Sequence, residues 1–171
     1  MANMPRRQGK CASIPTVNAP ASRRVNKELV QIMNWSGKRK SFKSMLCPEL
    51  SKRVDIYVTS YRGAHDDVGE AWITLDGEKV FGAGYYKKLN ARYAHDIVAE
   101  QDVYDEEEFI RAVEEYLTCS IDEALHSEDD LIRAFAMLDR RVGRRRLRQI
   151  DIELEDAQIV RMCHAIRMSV M

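Results

Sequence analysis

Residues 54–81 read VDIYVTSYRGAHDDVGEAWITLDGEKVF, and this stretch decides the fold. Val54, Ile56 and Val58 alternate with polar or aromatic residues, and apolar β-branched residues at a period of two predict a β-strand. Residues 71–75, after a polar loop, predict a second strand of the same kind. The stretch therefore predicts a β-sheet near the middle of the chain.

A hairpin turn is expected where Asp76-Gly77 separates the second strand from a third at residues 78–81. The dipeptide Asp-Gly suits a two-residue type I′ turn, because both central positions of that turn need positive φ. A two-residue turn also sets the register of the two strands. The expected cross-strand pairs are Ile73 with Val80 and Trp72 with Phe81.

Helical spacing precedes the sheet at residues 35–47, and Pro48 is expected to end this helix. Its apolar residues share one face, and its basic residues fall mostly on the other. The apolar residues are Trp35, Phe42, Met45 and Leu46. The basic residues are Lys38, Arg39, Lys40 and Lys43.

The second half of the chain has the 3.6-residue spacing of helices. Two sequences match the capping box, Asp105 with Glu108 and Ser120 with Glu123. Ser127 is expected to cap a third helix, and Gly143 stands where a helix-ending glycine is expected. The apolar stripe of that third helix is Leu131, Ala134, Phe135, Leu138 and Val142. A last helix is expected to carry Ile159, Cys163, Ile166 and Val170.

Strands followed by helices predict an α+β fold. We expect a three-stranded antiparallel sheet at about residues 54–81, packed against a helical C-terminal half. Residues 1–27 contain three prolines and lack acidic residues. Residues 1–32 are therefore expected to be a disordered extension. Residues 33–171 are expected to form a single α+β domain. Two alternatives for the extension are a transit peptide and a segment upstream of a natural start at Met33.

Composition excludes several classes of protein. The chain has 171 residues, with 27 basic and 27 acidic residues and a net charge of zero. No apolar run approaches the roughly 20 residues needed to span a bilayer. The four cysteines, Cys11, Cys47, Cys119 and Cys163, form no C-x-x-C pair, which indicates reduced thiols and no metal site. We therefore expect a cytoplasmic protein with no membrane contact.

An arginine cluster is the first candidate site. Arginines fill much of the segment at residues 140–148, and guanidinium groups suit phosphate oxygens and carboxylates. The alternative is internal neutralisation, because Arg111 and Arg133 are the only Lys or Arg residues in the acidic region at 95–138. The candidate ligand- or partner-binding residues are Arg140, Arg141, Arg144, Arg145 and Arg148, with Arg146 beside them.

Weaker candidates lie elsewhere. His65 and Asp66, in the loop between strands, could act as a general base and its orienting carboxylate, but a turn with a surface histidine explains them equally. The acids at residues 102–108 and 128–130 suit solvated helix starts better than a metal site. Tyrosines and bases at residues 85–93 could stack on single-stranded nucleic acid or pack in a helix. No glycine pattern for a phosphate or dinucleotide is present, so no cofactor is expected.

Several short motifs together resemble a small bacterial protein family of unknown function. They cover roughly residues 33–150, and the resemblance implies a bacterial cytosolic setting without supplying catalytic residues. Members begin with Met, one residue and Trp-Ser, which makes residues 1–32 a departure. The motifs are Trp35-Ser36, Cys47-Pro48, Ala64-His65-Asp66, Trp72-Ile73-Thr74 with Asp76-Gly77, and the run LDRRVG at 138–143 followed by RRL at 145–147.

The sequence names no activity, and it lacks the motifs of a nucleophilic enzyme. It favours a cytosolic, noncatalytic binding or regulatory module with a protein partner, because opposite charges are segregated along the chain. One alternative is a phosphate- or nucleic-acid-binding protein that uses the arginines. Another is a small enzyme with a site at His65 and Asp66.

Overall fold

The computed structural model describes residues 27–59, 69–84 and 104–171. Two helices, α1 (Lys27–Ile32) and α2 (Trp35–Met45), precede three strands, β1 (Val54–Thr59), β2 (Glu70–Leu75) and β3 (Glu78–Gly84). The later helices are α3 (Glu106–Thr118), α4 (Ile121–Leu125), α5 (Asp130–Leu138), α6 (Arg144–Leu147) and α7 (Gln158–Met168), with a 3-10 turn at Ile152–Leu154. The predicted α+β class, with helices after the sheet, is confirmed.

The strands form an antiparallel sheet in the order β1-β2-β3. Alternation sends Val54, Ile56 and Ile73 to one face, where they are buried, and Tyr57 and Trp72 to the other, where they are half-buried. Helix α3 packs against β2 and β3, and also against α1, α2 and α5. This helix therefore joins the sheet to the helical half of the core.

The hairpin turn is confirmed, but its predicted register is wrong. Asp76 and Gly77 have φ of 54° and 88°, as a type I′ turn requires. A β-bulge between the pairs of Ile73 and Thr74 then shifts the register by one residue. Its extra residue, Val80, is 36% exposed. Ile73 consequently pairs with Phe81, and Trp72 pairs with Gly82.

The physical reason for the bulge is the core. By shifting one residue, β3 places Phe81 on the same face as the buried Ile73. There the Phe81 ring lies 6.5 Å from the ring of Phe109 on α3 and 5.9 Å from that of Tyr104. An unbroken two-residue hairpin would have sent Phe81 to the outer face instead.

The predicted boundary at residue 32 needs correction. Residues 27–32, assigned to the extension, form α1, because Val30 is buried at 1% exposure against the core. Residues 1–26 lie outside the described residues, so the remainder of the extension stays a prediction. Helix α2 begins where predicted, with the Asn34 side chain accepting a hydrogen bond from the Gly37 amide. Lys38, expected on its polar face, is buried instead and forms an ion pair of 2.5 Å with Glu114.

Both predicted capping boxes are present, at Asp105 with Glu108 and at Ser120 with Glu123. The third helix differs from the prediction. Its N-cap is Asp129, whose carboxylate accepts from the amides of Leu131 and Ile132, while Ser127 accepts from the Asp129 amide. None of the described helices is both long and apolar enough to cross a bilayer.

The predicted role of Gly143 is also wrong. Helix α5 ends at Leu138 with Asp139 as its C-cap, so Gly143 does not terminate it. Gly143 is the N-cap of α6, with a φ of −71° that any residue can adopt. The chain leaves the helix early because the Asp139 backbone pairs with Leu46 in an isolated β-bridge.

Candidate functional site

The arginine segment begins at a buried polar hub formed by Asp139, Tyr116 and Arg141. Asp139 and Tyr116 are fully buried, and the Tyr116 hydroxyl donates to Asp139 Oδ2 at 2.6 Å. Arg141 donates to the same oxygen from Nε at 2.8 Å and from Nη2 at 2.6 Å, and its amide donates to Oδ1 at 2.7 Å. Burial raises the pKa of Tyr116 well above its ordinary value, and the Asp139 charge adds to that effect. The structure thus places Arg141 against an internal carboxylate.

A second arginine also has an internal partner. Arg146 Nη1 lies 2.7 Å from Asp122 Oδ1, in the acidic region expected to neutralise the cluster. The two side chains are 40% and 72% exposed, and exposed pairs of this kind contribute little to stability. The charges of Arg141 and Arg146 are therefore neutralised by carboxylates of the same chain.

The other four arginines of the segment point to solvent. They are exposed, and they form no hydrogen bond or ion pair with a side chain in residues 27–59, 69–84 or 104–171. We call these four residues the arginine platform: Arg140, Arg144, Arg145 and Arg148.

The local helix explains how three of them share a surface. Leu147 on α6 is fully buried and fixes which side of the helix faces the core. At 3.6 residues per turn, Arg144, Arg145 and Arg148 then lie within roughly 100° of one another on the outer side. These three arginines therefore share a surface on α6, which begins after Gly143.

The backbone beneath the arginine platform is held on both sides. The Arg140 amide donates to the Met45 carbonyl at 2.9 Å, which ties the segment to the end of α2. Val142 is buried, and the Leu147 carbonyl lies 3.3 Å from His164 Nε2 on α7. A surface whose backbone is already ordered loses less conformational entropy when a partner binds.

The acidic residues mostly serve the helix starts, as expected. Glu106, Glu107 and Glu108 occupy the first turn of α3, and Asp130 begins α5. Burial raises the pKa of Glu106, and the neighbouring carboxylates add to this effect. Among the described residues, no group of three or more potential ligands could hold a metal ion.

The sequence did not predict a stack of two aromatic rings, each with a cation over it, on the outer face of the sheet. The rings of Tyr57 and Trp72, cross-strand partners, are stacked with centroids 5.5 Å apart. Arg39 lies 4.2 Å from the Tyr57 centroid, and Lys79 Nζ lies 5.3 Å from that of Trp72. Because a cation covers each outer ring face, a nucleobase could stack here only by displacing one. The β1–β2 register, which the sequence left open, creates this pair.

Several candidates lie outside the described residues. These are His65 and Asp66 of the loop between β1 and β2, Asp102, and the tyrosines and bases at 85–93. The weak catalytic and nucleic-acid hypotheses that use them stay predictions. The described part of the site therefore consists of the arginine platform and the hub that supports it.

Comparison with known proteins places this architecture in a family. The model of one family matches residues 34–91 and 87–168, which together span most of the chain. The chain belongs to the SF0329 protein family. The SF0329 match includes the sheet, the hub and the whole arginine platform, whereas α1 lies before it. No curated protein and no solved structure matches the chain.

The SF0329 match also overlaps residues 33–150, on which the resemblance to a bacterial family rested. The individual motifs of that resemblance stay predictions. Membership of the SF0329 family brings no activity with it, so a function must be argued from the site itself.

Proposed function

We propose that this chain is a noncatalytic binding module that uses the arginine platform to bind an acidic surface of a protein partner. The observation that carries the proposal is the division within the arginine segment. Arg141 and Arg146 form ion pairs with internal carboxylates, whereas the four platform arginines form no ion pair or side-chain hydrogen bond with a carboxylate of the described residues. Internal neutralisation therefore does not account for the platform.

The chemistry of arginine supports a binding role. Its guanidinium is weakly hydrated and carries N–H donors that match the two oxygens of a carboxylate. Arginine is enriched in protein interfaces, and lysine is depleted. The segment at 140–148 contains arginines and no lysine. It projects from a backbone that the hub holds in place, which lowers the entropic cost of association.

A protein partner is favoured over nucleic acid. Long polyanions are bound mainly through phosphate charges, and the chain as a whole has a net charge of zero. A carboxylate adjoins the platform, since Asp122 pairs with Arg146. A compact acidic patch can avoid this carboxylate, whereas an extended polyanion would meet it. A phosphate- or nucleic-acid-binding function with the same arginines is the second candidate, which the exposed guanidinium groups also permit.

The proposal is tested by quantitative capture from bacterial lysate with two charge-matched variants. Replacement of Arg144, Arg145 and Arg148 by Ala is expected to abolish recovery of a stoichiometric partner. The control replaces Lys27, Lys52 and Arg111, which are exposed and lie outside the arginine segment, by Ala and is expected to retain recovery of the partner. The proposal fails if no partner is recovered at low salt, or if both variants lose it equally.

The nucleic-acid alternative is tested in parallel with labelled RNA and DNA. If it is correct, binding weakens steeply with salt and falls in the platform variant regardless of base sequence. A bacterial cytoplasmic setting belongs to the same proposal, supported by the free thiols of Cys47, Cys119 and Cys163. Cell fractionation with an antibody against the chain would test that setting, and recovery from the periplasm would contradict it.

A further inference from the structure

Arg167 on α7 is a buried guanidinium with few partners in the described parts of the chain. Its side chain is 9% exposed, and its Nη1 lies a long 4.0 Å from Glu49 Oε2. Its Nε is enclosed and has no hydrogen-bond partner. Buried polar groups in native proteins are nearly always hydrogen-bonded, and a buried charge without a close counter-charge is strongly unfavourable. Such a group calls for an explanation beyond packing.

The carboxylate beside Arg167 belongs to Glu49. The pKa of Glu49 is lowered by a hydrogen bond from its own amide, against the opposing effect of desolvation. The Cys47 thiol and the positive charges of Arg167 and Arg144 lower it further. The positive charge of Arg167 therefore acts on Glu49, whose Oε2 lies 4.0 Å from Arg167 Nη1. Burial raises the pKa of the Cys47 thiol, so this neighbour stays neutral and supplies no counter-charge.

We infer that Arg167 forms a binding site for a small oxyanion, a carboxylate or phosphate group, which Glu49 occupies as a weak internal competitor. An oxyanion can displace Glu49, because the Glu49 side chain is 51% exposed. The 4.0 Å between Glu49 Oε2 and Arg167 Nη1 is also too long for a hydrogen bond. An oxyanion would approach the terminal nitrogens of Arg167, because Nη1 faces the half-exposed Glu49 whereas Nε is enclosed. A charge-assisted bond there has a length of about 2.7–2.9 Å.

This inference goes beyond the proposed function, since the site takes one small oxyanion and needs no macromolecule. It is tested by titrating the full chain with sodium phosphate and, separately, with sodium acetate. The arginine Nε–Hε signals are followed by NMR, with sodium chloride at equal ionic strength as the reference. We expect the Arg167 signal to shift saturably, and the anion that saturates first identifies the preferred oxyanion. No saturable shift with either anion would overturn the inference.

Three variants test the assignment. Arg167→Met, which keeps the volume and removes the charge, is expected to weaken binding by about tenfold or more, the effect of losing one charge-assisted contact. Glu49→Gln is expected to tighten binding several-fold, because the competing carboxylate is gone. Arg161→Met, on the same helix but exposed, is the control and should bind as the wild type does.

Stability separates a binding role from a structural one. Replacing a poorly paired buried ion by an apolar side chain is often neutral or stabilising, so Arg167→Met should unfold at the same or a higher temperature. If that variant does not fold, the inference still stands or falls on Glu49→Gln, and unchanged affinity there refutes it. The double variant Arg145→Ala with Arg148→Ala tests whether the two proposals are independent. If this variant loses partner capture but still binds phosphate, the two proposals succeed or fail separately.

Discussion

Asp55 shows how a single residue links the outer face of the sheet to α2. Its carboxylate accepts from Arg39 Nε and Nη2 at 2.6 and 2.5 Å, and from Lys43 Nζ at 2.8 Å. Burial by itself would raise the pKa of Asp55. The hydrogen bonds from Arg39, Lys43 and the Ile56 amide outweigh that effect, so the pKa falls from 3.8 to about 2. A contact of this kind stabilises the fold in a pH-dependent way.

In Asp55→Asn, the free energy of unfolding should depend less on pH at acidic pH than it does in the wild type. A carboxyl whose pKa is depressed in the folded state stabilises the protein fully above its unfolded pKa, and this contribution disappears as the pH falls through the folded pKa. Between pH 5 and pH 2 the wild type should therefore lose about 2 kcal/mol more than Asp55→Asn. Urea denaturation at each pH measures the difference.

Asp76→Asn is the control for that experiment. Asp76 also pairs with an arginine, Arg53, at 2.6 Å, but the two side chains are 53% and 41% exposed. Solvent screens such a pair, so its removal should change the pH profile less than Asp55→Asn does. Equal profiles for Asp55→Asn and the wild type would contradict the assignment of the acid transition to Asp55.

At the scale of elements, two glycines make a matched test of the turn assignments. Gly77 has a φ of 88°, and a Cβ there would meet nothing within 4 Å, so the cost of Gly77→Ala comes from the backbone alone. An L-residue in the left-handed region costs roughly 1–2 kcal/mol. Gly143 also has open space around it, but its φ is −71°. Gly143→Ala should change the free energy of unfolding by less than about 1 kcal/mol, because the entropy that alanine removes from the unfolded state is opposed by its poor N-capping of α6.

Thermal or urea unfolding of the two variants measures both effects. Equal destabilisation would mean that Gly143 ends α5 in a left-handed conformation, as the sequence pattern suggested. An unchanged stability in Gly77→Ala would contradict the type I′ turn. The comparison therefore distinguishes a turn glycine from a helix-start glycine within one protein.

The same elements show what sequence alone could predict. The Asp76-Gly77 turn and the capping box at Asp105 depend on residues within a few positions of each other, so their chemistry is visible in the sequence. The bulge at Val80 depends on a ring of α3 that is distant in sequence, and no local signal encodes it. The end of α5 likewise depends on a bridge to Leu46, almost a hundred residues earlier.

At the scale of the whole molecule, the segregation of charges is visible in the sequence, but its consequence was not decidable from the sequence. Whether an arginine finds an internal carboxylate depends on tertiary contacts, as Arg141 with the buried Asp139 illustrates. Arg167 gave no signal, because a lone arginine at the end of an amphipathic helix looks like a solvated residue. His65 and Asp66 lie outside the described residues and stay predictions.

The stability of arginine variants decides between the two roles of the cluster. Replacement of Arg144, Arg145 and Arg148 by Ala should change the free energy of unfolding by no more than about 0.5 kcal/mol, because exposed residues without partners contribute little. Arg141→Ala should cost about 3 kcal/mol or more, because it leaves the buried carboxylate of Asp139 without its cation. Arg146→Ala, which breaks an exposed pair, should cost no more than about 1 kcal/mol. If the triple variant instead loses as much as Arg141→Ala, the platform neutralises its own molecule, and the case for an external partner is lost.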